Sequence, residues 1–188
     1  MIDETRYTEL GKVVVGGRLF TAFADDNPHA LLVPVIQGGA VTASGLFVTT
    51  FIDILDTTQL AVDLDLETHK IALFSNSITP NFSSDTAYAV APYNANEVTG
   101  TNWAAGGVAL TSTALSESPT GTLKWAAANV SVASTTLSNA RCGLVYADAL
   151  AGNNAIVLVN FGADYSTSNG TLGVTWSGSG VFTIDLTP

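Results

Sequence analysis

The sequence predicts an all-β protein: a β-sandwich or barrel-like domain of about ten short strands, with an extended N-terminal arm or small β subdomain before it. Three observations carry this expectation. Short runs rich in Val, Ile, Thr and Phe recur along the chain. Clusters of Gly, Asn, Asp and Ser separate them. The length, 188 residues, suits one medium domain with a smaller extension and is enough to bury a core without disulfides.

The first run covers residues 12–15 and closes at Gly16-Gly17. Residues 18–24 follow, ending in the turn formers Asp25-Asp26-Asn27-Pro28. Residues 31–37 are a third run with Pro34 inside it. Proline has no N–H to donate to a ladder, so this piece belongs at an edge, at a bulge or in an extended arm. Gly38-Gly39 ends it. Residues 45–55 are the most apolar stretch and fit either a strand or a short helix. A boundary just after them divides the chain into an arm or small subdomain, residues 1–59, and a β-sandwich domain, residues 60–188.

Within the larger part, residues 60–66 alternate. Leu60, Val62, Leu64 and Leu66 lie on one side, with Ala61, Asp63 and Asp65 on the other, the pattern of a half-buried strand. Residues 70–74 are the next strand, ended by Ser75-Asn76-Ser77. Residues 79–98 are poor in strand signals, with a helical turn expected at 85–91. Later strands are expected at 108–113, 121–128, 141–146, 155–161, 170–176 and 180–186. Turn signals at 148–154, 164–169 and 177–179 separate several of them. The last two strands are expected to pair as a hairpin across Ser177-Gly178-Ser179-Gly180.

Composition narrows the function. Charged residues are 12% of the chain, against about 25% in ordinary globular domains. A low-charge surface rich in Ala, Ser, Thr, Asn and Gly suits secreted β domains and proteins that pack into large assemblies. The net charge is −10, and the six basic residues, Arg6, Lys12, Arg18, Lys70, Lys124 and Arg141, are scattered. Gripping a nucleic-acid backbone takes several on one face, so no direct nucleic-acid binding is expected. The N-terminus lacks the basic and apolar regions of a signal peptide, and no long apolar run suggests a membrane span. Synthesis in a cytoplasm, without membrane insertion, is expected.

Ingredients for catalysis are few. Cys142 is the single cysteine and lies in the apolar run Cys142-Gly143-Leu144-Val145-Tyr146, the place of a buried small hydrophobe. His29 and His69 are the only histidines, and neither sits near a nucleophile in sequence. Asp63, Asp65 and Glu67 share one strand face and could ligate a cation or act as a glycosidase pair; a solvated strand face accounts for them equally simply. Asp25-Asp26-Asn27-Pro28-His29 reads as a turn. No phosphate loop or nucleophile elbow occurs. No enzyme activity, metal or cofactor is therefore expected. Trp103 and Trp125 are candidate contact residues, either stacking on sugar rings as in an adhesin or packing in the core. Pro34 is a third candidate contact, on an arm that augments a neighbour's sheet.

Several motifs recur in order along residues 68–188. They are Lys70-Ile71-Ala72-Leu73-Phe74-Ser75, Thr79-Pro80-Asn81, and Asn96-Glu97-Val98-x-Gly100-Thr101-x-Trp103-x-x-Gly106-Gly107-x-x-Leu110-Thr111. Then come Leu137-Ser138-Asn139-Ala140-Arg141-x-x-Leu144-Val145-Tyr146 and Val159-Asn160-Phe161-Gly162-x-Asp164-x-Ser166-x-Ser168-Asn169-Gly170-Thr171. Last are Val174-Thr175-Trp176 and Gly180-Val181-Phe182. In their order and spacing these motifs resemble small virion structural proteins of tailed bacteriophages, of the capsid decoration or minor capsid type. The chain departs from that pattern at Val132 and Cys142, where the family carries aromatics. The resemblance implies a protein on the capsid surface of a virion, made in the host cytoplasm, with the major capsid protein as partner and its own copies as a homo-oligomer such as a trimer. A tail or neck component and a carbohydrate-binding adhesin are the alternatives.

Overall fold

The computed structural model describes residues 8–15, 18–24, 31–34, 40–65 and 68–187, with side-chain surroundings given from residue 40 onward. The turns expected at Gly16-Gly17, at residues 25–28 and at Gly38-Gly39 lie outside the described residues, as do His29, Leu66 and Glu67.

The chain divides into two compact units, Met1–Gly38 and Gly39–Pro188. The division falls earlier than the expected 59/60 boundary. Residues 45–46 add a strand to the large sheet of the second unit, so they cannot be cut from it. The first unit is a three-stranded antiparallel sheet of β1 (Thr8–Val15), β2 (Arg18–Ala24) and β3 (Leu31–Pro34), in the order β1-β2-β3. Pro34 stands opposite Phe20 on β3, at the edge of the sheet, where a missing N–H does least harm.

The second unit is nearly all β. Its larger sheet has five strands in the order β4-β10-β9-β5-β6: β4 (Gly45–Leu46), β5 (His69–Phe74), β6 (Val108–Ala109), β9 (Val130–Ala147) and β10 (Ala155–Val174). A smaller sheet, in the order β11-β8-β7, joins β7 (Ala114–Glu117), β8 (Thr122–Ala126) and β11 (Phe182–Asp185). Among the described residues every strand pairing of both sheets is antiparallel. The arrangement is sandwich-like and open, not a closed barrel. One short helix, α1 (Val48–Leu55), resolves the ambiguity of residues 45–55: the stretch starts as strand and continues as helix.

The central pair β5–β9 is buried on both faces. Ile71, Leu73, Val145 and Ala147 belong to a core cluster that also holds Trp125 of the smaller sheet. Ala72, Phe74, Leu144 and Tyr146 point the other way, into a second cluster with Phe47, Ile78 and Tyr93. This explains the continuous apolar run at 142–146, since a strand covered on both sides has no solvent face to alternate with. The cover on the second face is the irregular segment 76–98, the stretch with few strand signals. Its aromatics meet edge-on: Phe74 and Tyr93 lie 5.3 Å apart between ring centroids, and Phe47 and Tyr93 5.9 Å.

Several expectations are corrected. The strands are not all short. β9 has 18 residues and begins at Val130, well before the expected start at 141. β10 has 20 residues and joins the two strands expected at 155–161 and 170–176. The turn expected at 164–169 is absorbed as a series of register shifts between Asn160 and Leu172. Gly162 (φ 79) and Asn169 (φ 49) take positive φ there, so turn-forming residues bend the strand without ending it. Residues 60–65 are not a strand, although their burial alternates as expected. The carbonyls of Asp63, Leu64 and Asp65 accept from the His69 ring, the Trp125 indole and the Thr113 hydroxyl, so side chains replace a partner strand. The terminal hairpin is also absent. The turn forms, with the Gly180 N–H donating to the Ser177 carbonyl, but β11 pairs with β8.

Gly107 holds the tightest approach to the central pair. It has φ 73, and a Cβ there would collide with the Ile71 carbonyl. Gly107→Ala is expected to lower unfolding free energy by about 1–3 kcal/mol, measured by urea denaturation. An unchanged midpoint would remove this contact as a constraint.

Candidate interaction surface

The groups that carry chemistry are mostly spent on the fold. The Cys142 thiol is buried, and burial pushes its pKa up to about 12, so it stays protonated and unreactive. Asp63 accepts the Asp65 N–H at 3.0 Å, and Asp65 accepts the Leu115 N–H at 2.6 Å. Both carboxylates therefore serve backbone N–H groups, Asp63 within its own segment and Asp65 on β7; Glu67 lies outside the described residues. Among the described residues no group of three or more His, Cys, Asp or Glu side chains is placed to hold a metal. No helix among them is long and apolar enough to cross a membrane.

Trp103 and Trp125 are both fully buried. Neither offers a ring face to a sugar or to a partner, and the core reading of these residues is the one observed. Trp103 closes the turn of the Gly100-Thr101-x-Trp103 motif, with backbone bonds in both directions between residues 100 and 103. Trp125 donates its indole N–H to the Leu64 carbonyl at 2.7 Å and lies edge-on to His69, with 5.4 Å between ring centroids. Glu97, from the same motif block as Trp103, accepts the Tyr88 hydroxyl at 2.6 Å and the Gly106 N–H at 2.7 Å. Tyr88 stacks on Tyr146 at 4.5 Å, and Tyr146 donates to the Gly106 carbonyl at 2.8 Å. Burial first, then Glu97, raises the Tyr88 pKa to about 12, so the phenol remains a donor. Most of the motif block from Asn96 to Gly107 is thus scaffold.

An exposed apolar face remains at α1. The sequence of α1, Val-Thr-Thr-Phe-Ile-Asp-Ile-Leu, has apolar side chains on two faces. Inward, Thr50 donates to the Ala155 carbonyl at 2.5 Å, and the Phe51 ring meets Phe182 at 6.1 Å. Outward, Val48, Ile52 and Leu55 recur at helical spacing and are 47%, 54% and 83% exposed. Grooves of about 520 Å³ and 570 Å³ run along this helix, sharing Phe51, Leu55 and Ile184 as walls. A third, about 420 Å³, continues past Leu115, Leu123 and Leu186. The polar walls are acidic: Asp56, Asp63, Asp65 and Glu117, with no Lys or Arg among the lining residues. This face was not visible as a surface in the sequence. Its only trace was the apolar excess of residues 45–55.

His69 adds a pH dependence to the underside of this face. Burial lowers its pKa from the ordinary 6.5, against weaker opposing effects of the Asp63 carbonyl and carboxylate. Its Nε2 pairs with the Asp63 carbonyl at 2.7 Å, and Nδ1 is buried without a hydrogen-bond partner, as suits a neutral ring. Below pH 6.5 the unfolded chain binds this proton more readily than the folded one. The stabilisation is therefore complete above that pH and declines as pH falls through the lower folded value. Urea unfolding between about pH 8 and 5 is expected to show this decline, and His69→Gln is expected to flatten it.

No family model, curated protein or solved structure matches the chain.

Proposed function

We propose that the chain is a structural component of a virus particle: a bacteriophage capsid decoration protein that binds the major capsid protein on the outside of the shell. The exposed apolar face of α1 and the smaller sheet carries this reading. Patches of this kind on a folded chain mark contact sites. The ordered motifs between Lys70 and Phe182 support the virion setting. The shortage of free nucleophiles, histidines and basic residues supports work done through contacts.

The occupant of the face is an apolar segment of a shell subunit flanked by Lys or Arg, which would match the acidic walls. Copies bridging neighbouring subunits, and meeting one another as a homo-oligomer such as a trimer, would strengthen the shell by multivalency. The N-terminal unit would contribute a second attachment, with the β3 edge carrying Pro34 beside a strand of a neighbour.

Cryo-electron microscopy and mass spectrometry of intact particles test the reading directly. Many copies spread over the shell are expected; a few copies at one vertex would favour the tail or neck. Burying one Leu or Ile contributes about 1.5–3 kcal/mol, so Leu55→Asp and Ile52→Asp are each expected to weaken shell binding by about 10-fold or more. Both side chains are exposed, so the melting temperature should hold; shell binding equal to wild type would remove the face from the proposal. Deleting residues 1–38 is expected to weaken binding while the near-ultraviolet circular dichroism of the larger unit persists.

A further inference from the structure

Away from the α1 face, the bent strand β10 forms a cleft by itself. Val159, Asn160, Phe161 and Tyr165 line one wall, and residues 172–176, in and just after the same strand, line the other. The register shifts between Asn160 and Leu172 let a single strand do this, because each one bends the β9–β10 ribbon. The cleft holds about 400 Å³, within the range of small-molecule sites.

Its walls combine aromatic and aliphatic side chains with a few polar groups, and no lining residue is charged. Tyr165 is 50% exposed and meets Phe161 edge-on at 6.3 Å. Trp176 is half-buried and locked from behind, with its backbone N–H bonded to the Asn129 side chain and its indole N–H to the Ala128 carbonyl, both at 3.0 Å. The indole is therefore a fixed platform. Asn160 uses its side-chain carbonyl to accept the Gly162 N–H at 2.9 Å, which holds its amide N–H group as a donor beside the cleft. Thr175 and the Tyr165 phenol add hydroxyls.

We infer that this cleft binds a neutral sugar ring. Aromatic faces suit the C–H faces of a pyranose, and the amide and hydroxyls suit its hydroxyl groups. A purely apolar ligand would leave those polar groups unpaired. An anionic glycan would find no cation among the lining residues. The site differs from the two indoles that first suggested sugar binding, Trp103 and Trp125, which are buried. It is also independent of the shell-binding face.

The whole chain should be screened against an array of neutral hexose and N-acetylhexosamine oligosaccharides, and hits titrated by calorimetry and by tryptophan fluorescence. Trp176 is the only one of the three tryptophans not fully buried, so a fluorescence change would report on this cleft. Saturable binding is expected, weakened about 10-fold by Tyr165→Ala at an unchanged melting temperature. Asn160→Ala should also weaken it, while Leu55→Asp should leave it intact. The inference is overturned if no neutral glycan binds, if only charged glycans bind, or if binding survives both cleft substitutions. Capture of an apolar peptide by the cleft in place of sugar would likewise overturn it.

Discussion

The five-stranded sheet is apolar on both faces at its centre, and the rest of the larger unit is arranged to cover it. β5 and β9 send Ile71, Leu73 and Val145 one way, and Ala72, Phe74 and Leu144 the other. Two covers are needed. The smaller sheet supplies one through Trp125. The segment 76–98 supplies the other, with Tyr93 and Ile78 joined by Phe47 as the main contacts. Irregular backbone over a core must still satisfy its polar groups. Asp85, Asn76 and Asn81 do this locally, accepting N–H groups of Asn81, Val41 and Ser83.

The two sheets are tied where residues 60–65 pass between β8 and the start of β5. Trp125 from β8 and His69 from β5 bond to neighbouring carbonyls of this segment, and their rings meet edge-on. The segment alternates in burial like a strand, yet it is held by an indole, an imidazole and a hydroxyl. That leaves its acidic side chains, Asp63 and Asp65, at the wall of the apolar groove. The carboxylates that resembled a catalytic pair are thus turn and rim residues.

This arrangement shows what was legible in the sequence. Fold class, the edge position of Pro34, the irregular 79–98 stretch and the buried run at Cys142 follow from local chemistry: a missing N–H, few strand formers, continuous apolar residues. The errors came where local chemistry has two outcomes. Gly162, Asp164 and Asn169 suit a turn, but the same preference for positive φ or local bonding serves a bulge when β9 continues alongside. Residues 60–65 alternate as a strand does, and only the tertiary positions of Trp125 and His69 decide what accepts their bonds. The terminal turn was readable; its pairing was not, because β11 finds β8 at long range. For the surfaces, periodicity indicates that a residue is apolar but not whether one chain covers it. Trp103 and Trp125 were candidates for contact and lie inside, whereas Leu55, in a segment read only as strand or helix, is the most exposed of the large apolar side chains among the described residues.

The helix α1 connects the covering problem to function. A short helix whose inner side completes a core can carry any polar sequence outside at no cost to the fold. Here its outer side carries Val48, Ile52 and Leu55, with Ile184, Leu115 and Leu186 continuing the apolar surface beyond it. The inner contacts, Thr50 to the Ala155 carbonyl and Phe51 against Phe182, do not require these residues. Solubility argues against such a face on a chain that works alone, particularly one with few charges elsewhere to offset it. An apolar face with acidic walls, at a place where the fold does not need it, is the physical basis on which we propose a covering partner and a place in an assembly.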